Sequence, residues 1–132
     1  MQSEGSRVRV VRGYELEPSG TEGFFAGGLA TPGRGTGEVS VIRQRQEPGA
    51  VGPLHLHDRE EVMVQLSGSA RVAVGEEVFE LSRGDALIVP SDTEHRVEGV
   101  GDSGGEWLLV APSGVRFFSP VDGREISPSW AQ

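Results

Sequence analysis

Histidine occurs three times in this sequence, at His55, His57 and His95, and Glu61 stands four residues after the second. Residues two apart on an extended strand share a face. His55, His57 and Glu61 therefore turn one way, provided the turn at Asp58 and Arg59 keeps register. His95 follows His55 by 40 residues, just after a turn at 90–94. Three imidazole nitrogens and a carboxylate oxygen form a donor set for a first-row divalent metal. A histidine read alone is more often an ordinary surface or core residue. Here every histidine of the chain falls into one pattern, which shifts the balance towards a metal. Fe, Mn, Ni, Cu and Zn all suit such donors, so the set does not choose among them.

The rest of the composition narrows the chemistry. The 132 residues include no Cys, and all 12 basic side chains are Arg. A Cys nucleophile, a disulfide, a Cys-ligated zinc and a Lys Schiff base are excluded, as is a Walker P-loop, which needs its Lys. The net charge of -8 argues against a nucleic-acid partner, because binding phosphates takes a basic surface. The first residues lack the apolar stretch of a signal peptide, and the apolar runs are too short to span a bilayer. The expected setting is the cytoplasm, with no membrane partner. The absence of Cys suits that reducing compartment.

Short strands must position the ligands. Gly and Pro interrupt the chain about every 8 to 12 residues, the spacing of an all-β sandwich or barrel. Strands are expected over 7–12, 24–29, 38–45, 61–66, 69–74, 77–81, 86–89, 95–100 and 106–111. Loops are expected at 31–37 and 99–105, with a tight turn at Gly75 and Glu76. Residues 86–89 are nearly all apolar and read as buried on both faces. Glu61, Met63 and Gln65 share one face of their strand, and Val62, Val64 and Leu66 share the other. Val39 and Val41 likewise oppose Ser40 and Gln44, with no sign of which side is inside. If Glu61 points inward, Val62, Val64 and Leu66 form an outward apolar row that needs cover, and a homodimer is expected. The chain reads as one domain, 1–132, with a core barrel at about 36–112. N-terminal strands at 7–30 and a C-terminal tail at 113–132 pack around it.

The histidine pattern and its flanking glycines resemble the cupin family. The family's first motif is matched by Gly49, His55, His57, Glu61 and Gly68, all at its spacings. Its second is matched by Gly84, Pro90 and His95, with Asp92 in place of a Gly and Gly99 in place of an Asn. Both departures fall at turn positions where Asp or Gly takes left-handed backbone angles. The resemblance implies an all-β double-stranded β-helix, the jelly-roll barrel. It makes His55, His57, Glu61 and His95 the ligands of a divalent transition metal. Glu60 has the opposite parity and reads as solvated. Four protein ligands in an octahedral shell would leave two positions for water, O₂ or substrate.

The implied function is a single-domain metalloenzyme acting on a small organic molecule. Oxygen-dependent oxidation is the leading chemistry, with isomerisation or cyclisation next, and Glu61 is the candidate catalytic base. The alternative is a cupin that binds or senses a small molecule without turnover. Candidate pocket residues are Met63, Gln65, Gln44, Val97 and Phe117. Trp107 and Phe118 are candidates for an apolar wall, although core packing is the commoner role. Tyr14, the only tyrosine, is a possible hydrogen-bond donor. Arg43, Arg45 and Arg116 are possible partners for an acidic substrate.

Overall fold

A computed structural model describes residues 8–12, 15–19, 22–126 and 128–132. Tyr14, and Arg7 at the head of the first expected strand, lie outside the described residues. Among the described residues the fold is all-β with ten strands: β1 (Glu17–Pro18), β2 (Phe24–Ala30), β3 (Val39–Gln46), β4 (Leu56–His57), β5 (Glu61–Val74), β6 (Glu77–Ser82), β7 (Ala86–Val89), β8 (Arg96–Pro112), β9 (Phe117–Phe118) and β10 (Glu125–Ile126). The larger sheet runs β1-β2-β3-β8-β5-β6, with β7 also paired to β5, and a small sheet runs β10-β9-β4. This is the jelly-roll architecture expected from the strand pattern, and it takes few exposed edges into solvent.

Several expected boundaries shift. Residues 8–12 are irregular rather than a strand. The strands expected at 61–66 and 69–74 are one strand, β5, and those at 95–100 and 106–111 are one strand, β8. The loop expected at 99–105 is a break in pairing inside β8. Gly105 lies opposite Gly68, and Val100 lies opposite Ser69. Residues 101–104 thus bulge between two neighbouring pairs, and the long strand bends there from one half of the barrel to the other. The hairpin at Gly75 and Glu76 forms as expected, with Val74 paired to Glu77. The expectation that 86–89 is buried on both faces fails. Ile88 is 64% exposed, because among the described residues β7 pairs only with β5 and its outer face is left largely open.

The apolar interior divides into two clusters. Met63, Ala70, Val72, Leu81, Val97 and Trp107 form one, and Ile42, Leu109, Ala111, Val115 and Phe117 form the other. On β3 the inward face carries Ser40, Ile42, Gln44 and Gln46, while Val39 is exposed and Val41 half-buried. Polar side chains thus face inward and valines outward. On β5 the reverse parity holds as expected, with Glu61, Met63 and Gln65 buried. The tail does more than pack around the barrel. β9 pairs with β4, setting Phe117 opposite His57. Trp130 then reaches back across the chain and donates its indole N–H to Ser19 Oγ at 3.0 Å.

Candidate metal centre

Three chain segments meet at the centre. His57 lies on β4, Glu61 opens β5, and His95 immediately precedes β8. His55 and His95 sit opposite each other in a two-way backbone bridge, with N···O distances of 3.0 and 2.9 Å. That bridge sets their rings 4.2 Å apart. The turn between the second motif's Pro90 and His95 is held by Asp92, whose backbone N–H donates to His57 O at 2.7 Å. Asp92 takes φ 59°, the left-handed angle expected of it. Gly99 does not share that explanation, since its φ is not positive. Its requirement is space: a Cβ there would collide with the carbonyl oxygen of Glu47.

Donor atoms of His55, His57, Glu61 and His95 all lie within 4.8 Å of one another, a group able to hold a metal ion. The hydrogen bonds behind the rings agree. Nδ1 of His55 lies 2.9 Å from Pro53 O, and Nδ1 of His95 lies 2.8 Å from Thr93 O. A carbonyl only accepts, so each Nδ1 carries the proton. Each ring, when neutral, then turns a bare Nε2 towards the centre, the tautomer that ligation requires. His57 Nδ1 and Nε2 and Glu61 Oε1 are buried without a hydrogen-bond partner. Buried polar atoms are rarely left so, and a cation at the centre would satisfy His57 and Glu61 together. Glu61 Oε1 does lie 2.7 Å from His95 Nε2 and 3.4 Å from His57 Nε2. The closer approach is an ion pair when His95 is protonated, and with a neutral ring it brings two metal-donor atoms onto one point.

Electrostatics separates the ligands. Burial, followed by the neighbouring His95 and His57, pushes His55 down to about 4, so it is neutral at neutral pH. His57 is also lowered, again chiefly by burial. For His95 burial is the largest single influence and acts downward. The adjacent Glu61 carboxylate more than offsets it, and the ring ends above its ordinary value. Burial likewise pushes Glu61 up, but the three histidines outweigh it and hold the carboxyl below its usual range. Without metal, then, His95 is the ligand ring whose protonated form is favoured over its ordinary balance. Metal binding near pH 6.5 should release protons, chiefly from His95. Calorimetric titration of metal into the metal-free protein in two buffers of different ionisation enthalpy should give different apparent enthalpies. Equal enthalpies would contradict the assignment.

The centre lies in the wall of a cavity of about 760 Å³, counting its open mouth. Met63, Gln44, Val97 and Phe117 of the expected pocket residues line it, together with Trp107. Gln65 does not. It is buried on the same face as Glu61, but its Nε2 donates to Ser67 O at 2.9 Å beside the bulge. Nor do the arginines: Arg43 is paired with Glu106, Arg45 lies over the Phe25 ring, and Arg116 is paired with Glu125. Phe118 lies under Arg116 rather than in the cavity wall. Glu60 is exposed. Sequence reasoning missed Trp130, which lines the cavity from the tail and meets Phe117 edge-on with centroids 5.6 Å apart. An aromatic near a chain's end carries no local signal of where it docks.

Residues 42–111 match the family model described as Cupin domain. Oxalate decarboxylase OxdC of Bacillus subtilis (strain 168) is 32% identical over 81 residues, which is 58% of this chain. The match takes in only 21% of that relative's length. Among solved structures, the polyketide cyclase RemF from Streptomyces resistomycificus has a TM-score of 0.69 at 20% identity, covering 95% of this chain and 87% of that one. KdgF from Halomonas sp. has a TM-score of 0.65 at 21% identity, covering 75% and 87%. Bacillus subtilis oxalate decarboxylase, a protein with Mn(II) centres, has a TM-score of 0.66 at 26% identity, covering 76% of this chain and 28% of its own.

Proposed function

The chain belongs to the Cupin domain family, and on that premise we propose that it is a metal-dependent enzyme acting on a small organic molecule. The observation that carries this reading is that three of the four grouped donors, His55, Glu61 and His95, line a largely apolar cavity. His55, His57, Glu61 and His95 would hold a divalent Fe, Mn, Ni, Cu or Zn ion. Such an ion supplies a Lewis acid and, if redox-active, a route for electrons to O₂. The protein's part is to orient and to exclude water. The Pro53 and Thr93 carbonyls fix two ligand rings. Phe117 packs on His57 at a centroid distance of 4.2 Å. The aromatic walls keep the reacting end dry.

Oxygen-dependent oxidation is the first chemistry we assign. Isomerisation or cyclisation is the second, and one observation supports it. Glu61 is the only carboxylate among the described residues that line the cavity. It is therefore the group placed to take a proton from substrate and return it elsewhere. Elemental analysis of the purified protein, followed by oxygen-uptake assays against a panel of small organic molecules, tests the order. Stoichiometric redox-active metal with substrate-dependent O₂ uptake supports oxidation. Zinc, with turnover but no uptake, supports the second chemistry. Ligand-induced stabilisation with no turnover would establish a binding protein instead.

We also propose a homodimer. The outward faces of β5 and β7 leave Leu66 38% and Ile88 64% exposed, with Val62 and Val64 between them. An apolar patch of this kind marks an interface. Light scattering at micromolar concentration should give about twice the 14.1 kDa chain mass. Ile88→Glu should give a folded monomer, and a monomeric wild type would refute the interface. The cytoplasm is the setting we assign, in keeping with the absence of Cys. Among the described residues no helix is long and apolar enough to cross a membrane.

A further inference from the structure

We propose that the cavity selects a flat, largely apolar molecule of one or two fused rings, which presents a single hydrogen-bond-accepting oxygen to the side-chain amide of Gln44. This names a substrate class for the site above, and rests on that reading for the cavity being where substrate binds.

Pairing across two strands fixes the amide. Gln44 on β3 lies opposite Trp107 on β8. Both are buried and both line the cavity. The Trp107 indole N–H donates to Gln44 Oε1 at 2.6 Å. An indole nitrogen can only donate, so the amide cannot be turned the other way. Its oxygen is held by Trp107, and its NH₂ is the end left over. Among the described residues nothing accepts a hydrogen bond from that nitrogen. Gln44 lines the cavity, so a donor there without a protein partner favours a ligand that supplies an acceptor over one that covers it without one.

The other walls define the rest of the molecule. Phe24 meets Trp107 edge-on at 6.2 Å, and Phe117 meets Trp130 edge-on at 5.6 Å. All four rings line the cavity and offer faces and edges on which a planar ring system packs well. Met63 and Leu109 add aliphatic surface. Among the described residues lining the cavity there is no arginine, and the chain has no lysine. Away from the metal centre, a phosphate or a second carboxylate would meet no cationic side chain in the lining and would lose its hydration. A ketone, ether or phenol oxygen meets the neutral amide at far less cost.

The test compares two probes that differ only in the acceptor, 1-indanone and indane. Both tryptophans of the chain line the cavity, so their fluorescence reports occupancy. Dissociation constants are measured on protein as purified, with metal content matched among variants. Any pull of the metal on the ketone is then common to all and cancels. Gln44→Glu keeps an oxygen for Trp107 and replaces the NH₂ by a second acceptor. The preference for indanone should fall about tenfold relative to wild type, with indane affinity changed less than threefold. Trp107→Phe, which frees the amide to rotate, should erase part of the preference. Gln44→Met makes the same comparison should Gln44→Glu not fold. An unchanged preference in the Gln44 variants overturns the proposal, as does failure of both probes to bind wild type. Turnover is not needed for this result. An absence of catalysis with the preference intact would sink the enzyme reading and leave this one standing.

Discussion

Replacing His57 by alanine is expected to reduce bound metal from stoichiometric to less than about a tenth, with little change in the stability of the metal-free protein. The two halves of this expectation have separate causes. Removing one of four donors leaves three that no longer enclose a site, and affinity should fall by well over 100-fold, beyond the loss seen for supporting residues. The metal-free state behaves differently. Neither nitrogen of His57 has a hydrogen-bond partner there, so truncation removes two unsatisfied buried atoms along with the ring's packing on Phe117. The lost packing and the relieved polar burial oppose each other, and the net change should stay within about 1–2 kcal/mol. The contrast with metal is large. Binding at a free metal concentration 100 times Kd stabilises the wild type by about 2.7 kcal/mol, and the variant gains almost nothing. Thermal melts of both proteins, with and without added metal, check this. Equal metal-induced shifts in the two would remove His57 from the ligand set.

Gly104→Ala is expected to be the most damaging small substitution outside the centre, costing about 4 kcal/mol. Gly104 has φ 68°, and a Cβ there would collide with the carbonyl oxygen of Gln46. The obstacle is backbone of a paired strand, so it cannot swing aside. Gly68, on the neighbouring strand β5, is similarly placed, with φ 63° and the Gly104 carbonyl in its way. Both lie where β8 bulges and the barrel turns its corner. Gly123 is the control. It has φ 70° but nothing within 4 Å of an added Cβ, so Gly123→Ala should cost only the left-handed backbone penalty of about 1 kcal/mol. Urea denaturation of wild type and the two variants separates the terms. A Gly104→Ala cost no greater than that of Gly123→Ala would show that the close approach does not exist.

The legible parts of this protein were those with local signals. Parity along one strand was enough to group Glu61 with Met63 and Gln65, and all three are buried. Gly75 and Glu76 announced a hairpin, because a two-residue turn needs an unusual backbone angle. The inside of β3 was not legible. Its inward face carries Gln44 and Gln46, and valine faces outward, so the usual rule of apolar residues inside points the wrong way. The barrel tolerates this in part because each amide finds a partner at one end on another strand. Gln46 Nε2 donates to Val97 O, and Gln44 accepts from Trp107. Residues 86–89 misled for a related reason. An apolar run says that cover is needed, not that the same chain supplies it.

By itself the sequence determined the all-β class, the absence of Lys and Cys chemistry, and the four residues with donors at metal-ligand spacing. These depend on residue identity and on periods of two, which any extended chain obeys. Only the tertiary structure decided how His95 reaches His55, since that contact is a backbone bridge across 40 residues of chain. Only it could decide that Gln44 lines the cavity while Gln65 does not, and that Trp130 of the tail closes one wall. Which side chains share a cavity depends on how strands from distant parts of the chain are stacked, and no local period carries that information.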